Sequence, residues 1–111
     1  MTTTTLLRGG QVADGTGSPL VTADVLISDG RIAGIGEFSA SAAEHVIDCT
    51  GLVIAPGFID IHTHSDLTRF AYPEGESRVL QGITTEVIGN CGLSPAPIRG
   101  NTADVRAIIG P

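Results

Sequence analysis

Ala55-Pro56-Gly57-Phe58-Ile59-Asp60-Ile61-His62-Thr63-His64-Ser65-Asp66 is the stretch whose reading decides the fold of this chain. Phe58, Ile59 and Ile61 form a short apolar, β-favouring run, introduced by Pro56-Gly57 and closed by two histidines. That is the pattern of a buried strand whose polar end reaches a cavity. Side chains alternate across a strand, so His62 and His64 are expected on one face, with Cβ atoms about 7 Å apart. Two imidazoles placed in this way can share one metal ion; two inert, hydrogen-bonded histidines at a strand end satisfy the same pattern. Asp60 precedes the pair on the same face and Asp66 follows it, so acidic groups flank the imidazoles on both sides.

Upstream, residues 1–56 alternate short apolar runs with glycine punctuation. Leu6-Leu7 and Gln11-Val12-Ala13 predict a first hairpin around Gly9-Gly10, and Asp14-Gly15-Thr16-Gly17-Ser18-Pro19 reads as a loop. Val25-Leu26-Ile27-Ser28 and Arg31-Ile32-Ala33-Gly34-Ile35 flank Asp29-Gly30. Asp-Gly between two β-favouring runs predicts a tight hairpin, because a type I′ turn needs positive φ at both central positions. Residues 37–44 form a surface connection, followed by His45-Val46-Ile47-Asp48, a Thr50-Gly51 turn and Leu52-Val53-Ile54. This portion is expected to be a small set of antiparallel strands without a helix. Cys49 reads as a space-filling residue and His45 as a surface residue with no assigned role.

Downstream, Leu67 to Pro73 reads as a loop, and Glu74 to Gly82 as a short helix, acidic at its start and ended by Gly82. Ile83-Thr84-Thr85-Glu86-Val87-Ile88-Gly89 returns the chain to a strand. Strand, helix, strand is a βαβ unit, and parallel pairing brings the ends of both strands to one edge. Cys91 falls on that edge, where a thiolate can join histidines around zinc. A buried cysteine acting as a small hydrophobe fits the same position.

Composition narrows the function classes. The 111 residues carry a net charge of −6, with 12 acidic residues against 6 arginines and no lysine. No basic run is available for nucleic acid or an anionic membrane, so neither is expected as a partner. No apolar segment approaches the roughly 20 residues a transmembrane helix needs, and Met-Thr-Thr-Thr-Thr lacks the basic start of a secretory signal, so a cytoplasmic location is expected. Two cysteines do not make a disulfide framework.

Pro56 through His64 resembles the Pro-Gly-Phe-Ile-Asp-x-His-x-His motif on the first barrel strand of the amidohydrolase superfamily, whose two histidines are metal ligands. Gly82-Ile83-Thr84-Thr85-Glu86-Val87-Ile88-Gly89-Asn90-Cys91-Gly92-Leu93-Ser94-Pro95-Ala96-Pro97 resembles the corresponding segment of N-acyl-D-amino-acid deacylases, the D-aminoacylases. In that family the cysteine is a metal ligand where many amidohydrolases use a carboxylated lysine, a residue type this chain lacks. Dihydroorotases, hydantoinases and allantoinases share the first motif but not Gly-Asn-Cys-Gly. The resemblance runs from about Leu6 to Pro97.

It implies an α/β chain with a β-rich N-terminal part: residues 1–56 as part of a small β-sandwich-like domain, and 57–111 as the start of a (β/α)8 TIM-type barrel. A full barrel takes roughly 250 residues; this chain supplies its first βαβ and, in Asn101 to Gly110, the start of a further helix, so it is expected to be the N-terminal piece of a longer enzyme. The implied activity is zinc-dependent hydrolysis of an N-acyl-D-amino acid to a carboxylate and a D-amino acid. His62, His64 and Cys91 are the implied zinc ligands. The catalytic aspartate and remaining ligands lie beyond residue 111, so the missing part of the barrel is needed for a complete site and the isolated piece is expected to be inactive. Asp60 is a candidate for orienting a histidine and Asp66 for lining the mouth. Two alternatives stay open: another amidohydrolase, such as a cyclic-amide hydrolase or deaminase, and a non-catalytic, truncated β module.

Overall fold

A computed structural model describes residues 3–69 and 72–94. The chain divides into two compact units, Met1–Pro56 and Gly57–Pro111.

The first unit is one five-stranded sheet. Strands β1 (Thr4–Val12), β2 (Val21–Ser28), β3 (Arg31–Gly36) and β4 (His45–Asp48) lie in the order β3-β2-β1-β4, and the short β5 (Val53–Ile54) pairs with β1 beyond β4. The β2–β3 hairpin turns at Asp29-Gly30 as expected: Ser28 pairs with Arg31, and both central residues have positive φ, 51° and 70°.

Two expectations for this unit need correction. Gly9-Gly10 is not a hairpin turn; β1 runs straight through it and pairs with β2 on both sides, Leu7 with Val25 and Gly10 with Ala23. Arg8 and Gly9 together oppose Asp24, so the glycines sit at a β-bulge, with Gly9 at φ 71°. The extra residue reverses which face the following side chains occupy. Leu7 and Val12, an odd number of residues apart, therefore line one apolar pocket with Val25, Ile27 and Ile54. Gly10 has a second reason to lack a side chain, because a Cβ there would lie 2.6 Å from Ile54 Cδ1.

The unit is also not wholly antiparallel. Both β4 and β5 pair parallel with β1, through Thr5–His45 to Arg8–Asp48 and then Gln11–Val53 and Val12–Ile54. The connection after β3 contains a 3₁₀ turn, Ala40–Ala42, capped by the Ser39 side chain, and carries the chain from the β3 edge to the free edge of β1. Entering at the same end as β1, the chain has only parallel pairing open to it. Leu6, Val12, Val25 and Cys49 form the buried apolar core, which gives Cys49 its packing role.

The second unit holds a parallel pair, β6 (Phe58–Asp60) and β7 (Ile83–Glu86), joined through α1 (Ser65–Thr68) and α2 (Glu76–Val79). The expected strand-helix-strand order is present, but α2 is short, and Leu67-Thr68 is helical where a loop is predicted from sequence. Gly82, at φ 80°, stops α2, and its carbonyl accepts the Phe58 N–H at the start of β6. The apolar run is not buried: Phe58 and Ile59 of β6 are 63% and 63% exposed, and Ile61, just past the strand, is 76% exposed. A two-stranded sheet has too few neighbours to cover its apolar faces, and the short α2, packed against β7, leaves these side chains open. The expected helix at 101–110 lies outside the described residues. No described helix is long and apolar enough to cross a membrane.

In β2, the Asp24 carboxylate accepts from the Gly9 N–H at 2.8 Å and from the Phe38 N–H at 3.1 Å, tying the bulge to the exit of β3. Asp24→Ala leaves both donors unpaired and is expected to cost about 1–3 kcal/mol in urea unfolding. Asp24→Asn, which keeps one acceptor oxygen, should lose less, and equal losses would refute this account.

Candidate metal centre

The strand β6 ends at Asp60, so His62 and His64 do not alternate along a strand as the sequence predicts. The chain bends at Ile61-His62, and His64 takes φ −115°, ψ 28° as the N-cap of α1. The two rings still face one region, with centroids 5.7 Å apart and planes at 74°. Cys91 reaches the same place from beyond β7. It lies in the 3₁₀ turn Asn90–Gly92 with its own φ at 56°, between Gly89 at 83° and Gly92 at 74°. This run of left-handed backbone turns the thiol back toward the histidines, leaving Sγ 3.5 Å from His62 Nε2.

One ligand atom from each of His62, His64 and Cys91 lies within 4.8 Å of the others. Tetrahedral zinc with Zn–N and Zn–S bonds of ordinary length separates nitrogen from sulfur by about 3.6 Å, so the cysteine–histidine distance already matches one edge. Bringing the furthest donors to such an edge takes about 1 Å of side-chain movement. Two imidazoles and a thiol are zinc donors by type as well as by position. Among the described residues this is the one His/Cys/Asp/Glu group gathered closely enough to hold an ion.

Asp60 meets His62 through the backbone, its Oδ1 accepting the His62 N–H at 3.1 Å, while Oδ2 faces Arg78 Nη1 at 3.3 Å. It therefore holds the histidine-bearing turn, not an imidazole ring. Asp66 is 3% exposed; one oxygen accepts from the Gly89 N–H at 3.4 Å and the other has no hydrogen-bond partner among the described residues.

A network beneath the donors escapes sequence reasoning. Glu86, the last residue of β7, pairs with Arg69 at 2.5 Å and with Arg78 Nε at 3.4 Å. Arg78 also donates to Thr63 Oγ1 at 3.2 Å, and Thr63, 3% exposed between the two histidines, donates to Glu86 at 3.5 Å. The one signal available in sequence is an acidic residue inside the β-favouring run Ile83 to Ile88, which needs a cationic partner if that run is covered. Burial pushes the Glu86 carboxyl up, but hydrogen bonds from Arg69 and Ser65 and the charges of Arg69 and Arg78 outweigh it and hold the group below the usual glutamate range.

A model of the amidohydrolase family matches residues 45–104. The chain is 49% identical over 107 residues to the N-acyl-D-glutamate deacylase of Alcaligenes xylosoxydans xylosoxydans, covering 95% of this chain and 22% of that protein. Among solved structures, the N-acyl-D-glutamate deacylase of Bordetella bronchiseptica, complexed with zinc and a phosphonate mimic of the tetrahedral intermediate, superposes with a TM-score of 0.79 at 49% identity, over 88% of this chain and 21% of that one. A D-aminoacylase structure concerned with the role of a binuclear metal centre gives a TM-score of 0.79 at 46% identity, over 86% and 20%. The chain thus spans about a fifth of the length of the relatives it matches. Like the N-terminal part of those structures, it is mostly β-strand with few helices.

A carboxyl with a depressed folded pKa contributes stability above its ordinary titration range, and that contribution is lost as pH falls through the folded value. Amide protection in β6 and β7 is therefore expected to fall on acidification below the ordinary glutamate range. Glu86→Gln should lower protection at neutral pH and flatten its acid dependence; hydrogen exchange that is equally acid-sensitive in the variant would remove Glu86 from this role.

Proposed function

This chain belongs to the amidohydrolase family, and on that footing we propose that it forms part of a zinc-dependent enzyme that hydrolyses the amide bond of N-acyl-D-amino acids. The observation that carries this reading is the convergence of His62, His64 and Cys91. The likeness to deacylases acting on N-acyl-D-glutamate supports the substrate class. In this reading Gly57–Pro111 begins a (β/α)8 barrel, with β6 and β7 as its first two strands, and Met1–Pro56 is one sheet of a β-sandwich-like domain completed by other parts of the protein.

His62, His64 and Cys91 are the residues that would hold the zinc. Bound there, the ion would supply Lewis-acid activation of an amide carbonyl and of a water molecule. This chain's own part is to hold the ion and to bring it to the edge where both strands end. His62 and His64 would hold the ion through neutral ring nitrogens and Cys91 would hold it as a thiolate. Asp60 keeps the His62 turn in place through its backbone N–H, and Arg78 keeps Asp60 in place. Orienting a substrate and supplying the acid-base chemistry would take the further groups of a complete barrel.

In the full-length protein, His62→Ala and Cys91→Ala should each lower bound zinc well below wild type, and unchanged zinc in both refutes the ligand assignment. Independently of activity, Cys91 should resist iodoacetamide in the zinc form and react after chelation. The full-length wild type should release D-amino acids from N-acyl-D-amino acids and leave the L-enantiomers intact; preferential cleavage of cyclic amides would redirect the substrate class.

A further inference from the structure

The ladder between β6 and β7 continues past the strands only as far as Val87. The Val87 N–H donates to the Asp60 carbonyl at 2.8 Å, and the Thr63 N–H to the Val87 carbonyl at 3.4 Å. Cys91 lies beyond that point, in a turn with left-handed backbone at three of four successive positions. Such a turn is expensive for a non-glycine residue and holds its shape only where other contacts determine it. The donor geometry therefore needs a tie between the cysteine turn and the histidine segment.

Asn90 supplies one. Its Nδ2 lies 2.8 Å from the Val87 carbonyl and 3.2 Å from the Thr63 carbonyl. Both partners are acceptors, which settles the orientation of the carboxamide: the NH2 must face them. Among short side chains only asparagine brings two N–H donors on one nitrogen; an ionised aspartate has no donor and serine a single O–H.

Thr63, the residue between the histidines, is gripped at three points. Its N–H is bound to Val87, its carbonyl receives Asn90, and its hydroxyl meets Arg78 and the Ser65 N–H. It is a fixed post with a zinc donor on either side. The Asp66 carboxylate adds a longer link from α1 to the Gly89 N–H. Among the described residues, the Asn90 bond is the one that runs from a residue adjacent to Cys91 to the residue between His62 and His64.

We propose that Asn90 is a positioning residue for the metal centre, its carboxamide locking the Cys91 turn to Thr63 so that thiolate and imidazoles meet at one ion. This rests on the zinc reading above. Asn90 does not touch the ion; it sets where Cys91 stands relative to the histidines, and removing it lets the turn relax away from them.

The test compares Asn90→Ala and Asn90→Leu with wild type in the full-length protein. Leucine keeps the approximate shape and removes both donors without adding charge. Zinc affinity, measured by competition with a chromophoric chelator, should fall about 10–100-fold in both variants, the usual effect of losing a group that orients a ligand. After cobalt substitution, the thiolate-to-cobalt charge-transfer band should weaken or shift. The thermal midpoint of the zinc-free protein should stay near that of wild type. Wild-type zinc affinity and an unchanged cobalt band in either variant would overturn the proposal, even with reduced turnover, because Asn90 would then act on the substrate. A zinc-free variant destabilised with its metal affinity intact would also overturn it. Cys91→Ala and His62→Ala run beside them: if both retain full zinc, the ligand assignment has failed, whereas metal loss in these two alone is a failure of the Asn90 role.

Discussion

Parallel pairing of Phe58–Asp60 with Ile83–Glu86 is the constraint on which the candidate site depends. In a parallel pair both strands run out at the same edge, so groups far apart in sequence arrive together without a long loop to deliver them. His62 and Cys91 come within contact because Asp60 stands beside Glu86 and each strand has only a few residues left to travel. An antiparallel pairing of the same strands would carry the histidines and the cysteine to opposite ends. The close approach of the strands has its own requirement at Gly57, where a Cβ would stand 2.1 Å from Thr84 Oγ1. Thr84 is the extra residue where the register shifts between Phe58–Ile83 and Ile59–Thr85, so a glycine opposite it lets the ladder close.

Polar groups below this edge do what a short sheet cannot. Phe58, Ile59 and Ile61 are exposed, so apolar burial within the described residues does little to hold the histidine segment. Glu86, Arg69, Arg78, Asp60 and Thr63 instead form one connected set, joining β6, β7, α1 and α2 through charge-assisted hydrogen bonds. Such bonds are roughly twice as strong as neutral ones and are directional. They suit a place where position matters more than total stability, and they put Thr63 under the donors as a support.

Much of the plan was legible residue by residue. Asp29-Gly30 announced its hairpin because only a residue pair tolerant of positive φ makes that turn. The β-strand, helix, β-strand order after Pro56-Gly57 followed from local preference. Where the fold departs from local expectation, the local cues are ambiguous. Gly9-Gly10 serves a bulge as well as a turn, and only the long β2 strand alongside decides for the bulge. The parallel entry of β4 depends on which edge of β1 is free, a property of the assembled sheet and of no single residue.

What the sequence determined by itself is the set of candidate ligands: two histidines one residue apart and a cysteine in Gly-Asn-Cys-Gly. Donor type is a property of single residues, and the strand ends that carry them are set by local preference. Only the tertiary structure decided how the donors meet. His62 and His64 converge through a bend and a helix cap, not through strand alternation, and Cys91 joins them through a left-handed turn held by Asn90. The Glu86 network was likewise invisible, because Arg69 and Arg78 become its partners only after two short helices have folded back over β7. The physical reason is common to both: distances of a few ångströms between residues some 10 to 30 positions apart are fixed by pairing and hydrogen bonding across the chain, and a linear pattern carries no record of them.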